Sequence, residues 1–351
     1  MADDNNKHLT PVWIVYVDGT RLDTDHEGAL QKIVINDKLN NIGTASLEFD
    51  SSAVKIRDSG TFSLESEVSI HLGYKDDCEL VFTGEVTGFN IQLNEYGHEQ
   101  LVVTCSNCLY KLKNAVQSLS FESKALSDIL QEIIDNYSLS AQIDSFGTTK
   151  SFTVENLTTD YDYLINAAKA YGKSVYAYES DIYIKDEITV NSSDVIMEWG
   201  KSLISFSGTE SLDNQLSECT FTGWDEVKCE AITGTATLND LPLKVGGSNT
   251  WENNSKGAGG KWKSTYTSDD LFDNDDAKNR AIGILMNKSF NYQTCIAKSE
   301  GNYNVHPGMR VTMKYVGEKY SGEYIADRVV HEFSSINGYT TTIYGKRNAS
   351  E

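Results

Sequence analysis

Short runs of alternating apolar and polar residues dominate the first hundred positions: Val12–Val17, Gln31–Ile35, Thr44–Phe49 and Val68–Leu72. Side chains on a strand point alternately to opposite faces, so such runs predict half-buried strands, with Asp18-Gly19, Asn40-Asn41 and Asp76-Asp77 as the intervening turns. The rhythm then changes. Leu126, Ile129, Leu130, Ile133 and Ile134 recur at helical spacing behind Ser123, a candidate N-cap. A second helix is expected from about Asp160, with Tyr163, Leu164, Ala167, Ala168 and Tyr171 on one face and Gly172 as C-terminal cap. Strand-like pieces, Ser151–Val154, Val175–Tyr178 and Ile182–Ile184, lie around these helices, and alternation resumes at Leu203–Phe206 and Glu218–Trp224. Residues 246–264, rich in Gly, Ser and Asn, have too little apolar area to order themselves and are expected to form a mobile loop. A further helix is predicted at about 274–288, with Asp275 and Asp276 in its first turn, where the helix dipole favours acids.

This order of elements predicts a β-rich α+β chain: two similar antiparallel β-barrel domains, residues 1–118 and 199–351, flanking a small α/β insert domain at 119–198. The similarity rests on a pattern that occurs twice. Val68-Ser-Ile70, a polar loop, Thr83-Gly84-Glu85, a long strand, a turn at Gly97 and Leu101–Thr104 are echoed by Val311-Thr-Met313, a loop, Ser321-Gly322-Glu323, a strand, a turn at Gly338 and Thr342–Tyr344. Gly84, Glu85, Gly97, Gly322, Glu323 and Gly338 are thus the candidate structural turns of a duplicated module. A trimer of such chains presents six similar faces to a six-fold partner, which points to an assembly component.

Composition narrows the classes. With 351 residues, 39% hydrophobic and 23% charged, the chain is long enough for several cores and needs no disulfide staples. A net charge of -21 opposes binding to nucleic acid or to anionic lipid, and no apolar run is long enough to span a bilayer as a helix. The N-terminus is acidic and polar where a secretory signal is basic and then apolar, so synthesis in the cytoplasm without a signal peptide is expected. The six cysteines are expected to be reduced.

Candidate chemistry is thin. Cys105-Ser-Asn-Cys108 has metal or redox spacing but no second pair, and the six histidines show no ligand spacing. Glu85 and Glu323 raise a carboxylate pair for glycoside hydrolysis, with symmetric structural roles as the blander reading. The acidic stretch Asp269–Asp276 lacks the glycine and terminal Glu of a calcium loop, so helix capping accounts for it better. No catalytic residue, metal ligand or cofactor site is assigned. Trp251 and Trp262 flank the glycine-rich segment and are candidate anchors for a partner.

Several segments in order resemble one family. Thr159–Gly172, the preceding Leu126–Leu139, Val305–Val311, Tyr320–Tyr324, Val329–Phe333 and Gly338–Thr341 are similar to phage late control protein D and VgrG-type baseplate hubs of contractile tails and injection systems. The resemblance implies a structural, non-enzymatic homotrimeric hub that joins a hexameric inner tube protein to a trimeric spike within a phage tail or injection particle. It implies other baseplate subunits as partners, and a structural hydrogen bond for His331. VgrG-type chains continue into a needle, which here is expected as a separate spike protein. A secreted adhesin or carbohydrate-binding β-protein, and a tail-associated peptidoglycan hydrolase, are the alternatives; neither explains the duplication.

Overall fold

The computed structural model describes residues 10–51, 56–75, 77–93, 95, 98–114, 116–186, 195–255 and 260–351. Thirteen strands form one sheet: β1 (Pro11–Val17), β2 (Thr20–Arg21), β3 (Leu30–Lys38), β4 (Thr44–Asp50), β5 (Glu67–Tyr74), β6 (Asp77–Leu93), β7 (Glu99–Ser106), β8 (Val195–Glu198), β9 (Leu203–Glu210), β10 (Gln293–Glu300), β11 (Arg310–Lys314), β12 (Gly322–Ser334) and β13 (Gly338–Arg347). Their order in space is β9-β10-β13-β12-β3-β4-β7-β6-β5-β1-β2, with β11 paired to the start of β12 and β8 to β11. Alternation places these strands: Ala45, Leu47 and Phe49 of β4 are buried, as are Tyr339, Thr341 and Ile343 of β13.

The sheet has two arms. The N-terminal arm runs β3-β4-β7-β6-β5-β1 and the C-terminal arm β9-β10-β13-β12-β11-β8. Neighbours are antiparallel except β8 and β11, which are parallel. Where the sequence suggested two separate barrels, one hydrogen-bonded ladder crosses both arms, because the later part of β12 pairs with β3. Each arm keeps its own core. Val15, Ile33, Leu47, Phe49, Ile70 and Val103 fill the first, which also takes in Phe333 and Tyr339 from the other arm. Met197, Ala297, Val311, Met313, Tyr324 and Ile343 fill the second.

Between the arms, an antiparallel pair (Val116–Lys124 with Lys150–Thr159) and a three-stranded sheet (Ser140–Ile143, Ser174–Tyr178 and Asp181–Lys185) pack with two helices. The five helices of the described residues are α1 (Thr24–Ala29), α2 (Leu126–Asp135), α3 (Asp160–Ala170), α4 (Trp251–Asn254) and α5 (Asn274–Ser289). Thr159 caps α3, its hydroxyl accepting the Asp162 amide at 3.0 Å. Ser123 caps nothing: it lies in the strand before α2, and Ala125 stands at the N-cap without a side-chain bond. The continuous strand Val116–Lys124 carries the chain past Ser123 before the helix begins.

A further layer covers the C-terminal arm, in which α5 packs on strands Glu218–Asp225, Glu230–Thr237 and Lys263–Thr267. Helix α5 crosses the end of α3 at Gly283, where a Cβ would stand 2.2 Å from the Ala170 carbonyl oxygen; only glycine allows that approach. The expectation of a mobile loop at 246–264 is corrected for its described part. Asn249–Thr250 pairs with Ala349–Ser350, α4 follows, and Trp251 stacks on Trp262 with ring centroids 4.8 Å apart. Two tryptophans supply the apolar area that the surrounding glycines and serines lack. Residues 256–259 lie outside the described residues.

Candidate assembly interface

Two β-bulges fix how the arms correspond. Against β4, strand β3 carries an extra residue between Leu30 and Lys32, and against β10, strand β9 carries one between Leu203 and Ser205. Against β7, strand β6 is bulged between Val86 and Gly88, and against β13, strand β12 is bulged between Ala326 and Arg328. A bulge interrupts the two-residue period, so matching bulges mark matching register. On this basis Val86 corresponds to Ala326, Phe89 to Val329, Ile91 to His331 and Leu93 to Phe333.

That register corrects the equivalence read from sequence. Val68 faces Gly84 and Val311 faces Tyr324, so Gly84 corresponds to Tyr324, while Gly322, opposite Met313, corresponds to Phe82. The two Gly-Glu pairs are offset by two residues and do not occupy the same place. Gly84 lies inside β6, not in a turn, and a Cβ there would meet the Ser106 carbonyl oxygen at 2.3 Å. Gly322 opens β12 at φ +120° beside Arg347, and Gly338 opens β13 after the hairpin turn at φ +70°. Gly97 lies outside the described residues. Glu85 pairs with Lys111 at 2.6 Å and Glu323 with Arg310 at 2.8 Å, so each carboxylate is engaged with a base of its own arm. Trp251 is fully buried and belongs to the chain's own core; it offers no exposed anchor, and Trp262 is partly buried on top of it.

Other polar groups serve the fold. His331 is buried, with its ring nitrogens 2.9 Å from the Tyr339 hydroxyl and 3.1 Å from the Val305 carbonyl oxygen. Burial lowers its pKa to about 4, and burial plus the nearby His331 lowers that of His306 to about 3. Arg347 is buried too, donating to Gln293 at 2.6 Å and to the carbonyl oxygens of Ser321 and Lys319, with its guanidinium over the Tyr324 ring. Cys105 and Cys108 are free thiols that burial pushes up to about 12, opposite to what a reactive or ligating thiolate needs. Asp273 caps α5 by accepting the Asp276 amide at 2.7 Å. Among the described residues no cluster of three or more His, Cys, Asp or Glu could hold a metal ion, and no helix is long and apolar enough to cross a membrane.

The arms meet at a strand joint. Seven residues of β12, Arg328 to Ser334, pair with Lys38 to Lys32 of β3. Across it Lys32 pairs with Glu332 at 3.0 Å, and Arg328 donates to Asn36 at 2.7 Å. Asp37 is buried here, and desolvation raises its pKa to about 7; its Oδ1 has no hydrogen-bond partner among the described residues. At the corresponding position of the other arm, desolvation also opposes the charge of Glu210, but Lys319, Tyr292 and Gln293 outweigh it and lower the pKa. The other ends of the arms stay open. Among the described residues the outer edge of β6 from Gly88 to Leu93 pairs with no strand, and β9, apart from a single bridge of Leu203 to Trp199, pairs only with β10. Sequence reasoning placed a long strand here but not its open edge, although Phe89, Ile91 and Leu93 alternate.

A family model described as the Alg8 N-terminal domain matches residues 7–335, and the chain belongs to that family. No curated protein matches it in sequence. Its fold is that of phage tail proteins. The 43 kDa tail protein of prophage MuSo2 from Shewanella oneidensis superposes with a TM-score of 0.71 at 13% identity, covering 97% of this chain and 99% of that one. A tail protein from Neisseria meningitidis MC58 gives 0.70 at 12% identity, covering 97% of each chain. The E. coli c3393 protein, a component of the type VI secretion system, gives 0.60 at 8% identity, covering 95% of this chain and 76% of that one.

Proposed function

We propose that this member of the Alg8 N-terminal domain family is the central hub of a contractile tail or injection-particle baseplate, of the kind to which late control protein D and VgrG belong. Three copies form a ring in which each chain supplies two like β-modules. Six modules face a hexameric inner tube on one side, and the three-fold side holds a trimeric spike, with other baseplate subunits around it. The protein acts by templating and holding, without catalysis, inside a phage tail or extracellular particle.

The observation that carries this is the repeat itself. Two arms in the same strand order, with the same two bulges, give one chain two faces of one kind, and a symmetric trimer then matches a six-fold ring. The tail-protein fold supports the same conclusion. The decisive experiment is the native mass of the purified chain, alone and mixed with its tube and spike proteins. A species of three times 39.0 kDa, alone or bound to spike, is expected. A monomer under every condition overturns the hub.

A further inference from the structure

We infer that the free half-strand of β6, Gly88–Leu93, pairs with the free edge of β9 in a second copy of this chain, and so repeats between subunits the joint that β12 and β3 make within one. The inference rests on the hub reading for the number of subunits and on the structure for the joint.

Within the chain, the later half of a bulged long strand in one arm (β12) pairs with the first strand of the other arm (β3). The counterpart of β12 is β6, and the counterpart of β3 is β9; both present these edges unpaired among the described residues. The side chains show what covering that edge does. Val329, His331 and Phe333 are 0%, 1% and 8% exposed, whereas their counterparts Phe89, Ile91 and Leu93 are 42%, 47% and 67% exposed. An open edge carrying alternate large apolar side chains is a template for another strand. The matching edge here is on β9, where Ile204 is exposed and Phe206 half-buried.

Transferring the β12–β3 register fixes the pairs: Phe89 opposite Glu210, Asn90 opposite Thr209, Ile91 opposite Gly208 and Leu93 opposite Phe206. The contact is head to tail, since each chain offers β6 at one end and β9 at the other, and such contacts close into a ring when the rotation between copies closes and otherwise run on as an open filament. It is also chemically distinct from its template. The Lys32–Glu332 ion pair is replaced by Ser205 and Gln92, and Arg328 by Gly88, so the joint between chains rests on backbone hydrogen bonds and apolar contact.

Facing residues of an antiparallel pair have Cα atoms about 4.5–5.5 Å apart, within disulfide reach. The test is oxidative cross-linking of the full chain carrying Asn90→Cys and Thr209→Cys in a Cys229→Ser background, across a concentration series. The result expected is a covalent, closed trimer. Mixed single variants should yield only dimers, and Asn90→Cys with Ser205→Cys, four residues out of register, should stay uncross-linked. Ile91→Asp should weaken association more than tenfold with the unfolding midpoint unchanged. A native trimer without selective cross-linking overturns this joint and leaves the hub standing. An open covalent ladder keeps the joint and overturns the three-fold ring, and a persistent monomer overturns both.

Discussion

Two half-strands occupy the same place in the two arms, and they live in different surroundings. Along β12, paired edge to edge with β3, Val329, His331 and Phe333 are buried; from Phe89 to Leu93, β6 lies open. Bulge and hairpin partner are alike, and both half-strands place large side chains at alternate positions, with His331 of the covered one standing where the open one has Ile91. What differs is whether the chain supplies a strand for the outer edge. The joint inside the chain is the template from which the proposed joint between chains is drawn.

The largest effect should come from truncating one residue at each place. Phe333→Ala, in the core beside Trp13, should cost about 3 kcal/mol of unfolding free energy, whereas Leu93→Ala should stay within about 0.5 kcal/mol in the isolated chain. Denaturant unfolding of both variants measures the contrast, and equal costs would remove it.

Acid sharpens the same comparison, because Ile91 stands where the covered half-strand has His331. In the unfolded chain an imidazole takes its proton near pH 6.5, as usual. In the fold His331 resists protonation down to about pH 4, and neighbouring His306 down to about 3. Between those limits the unfolded state binds more protons, so stability falls as pH drops from about 6.5 and levels off below about 4 for His331. The loss reaches on the order of 3 kcal/mol for His331 alone, and unfolding at pH 7 and 4.5 in His331→Gln should show a flatter dependence.

Asp37, in the joint itself, works with the opposite sign. Its folded pKa, raised to about 7, means that the folded state holds a proton that the unfolded chain releases above about 4, so its contribution worsens as pH rises from 4 to 7. Asp37→Asn should therefore stabilise the chain by roughly 2 kcal/mol at pH 8 and by little at pH 4, read as paired denaturant midpoints. The smallest effect belongs to the half-exposed Lys32–Glu332 pair: Glu332→Gln should change stability by no more than about 0.5 kcal/mol, vanishing in high salt.

Periodicity alone determined which residues alternate as strands in β3, β4 and β5, and that helices lie near Leu126, Asp160 and Asn274, because strand and helix periods imprint themselves on spacing. It also paired two stretches that do correspond in register, Val68 with Val311 and Val103 with Ile343. Sequence could not set the register of Gly84 and Gly322: the two Gly-Glu pairs stand three and five residues before equivalent bulges at Thr87 and Asp327, and a bulge leaves no residue signature by which to align them. Nor could it tell that Trp251 lies inside the protein, since a stacked partner 11 positions away supplies the burial. Above all, only the tertiary structure decided which of two equivalent half-strands is covered. Strand pairing at an edge depends on whatever chain arrives there, and that lies outside the pattern of the strand itself.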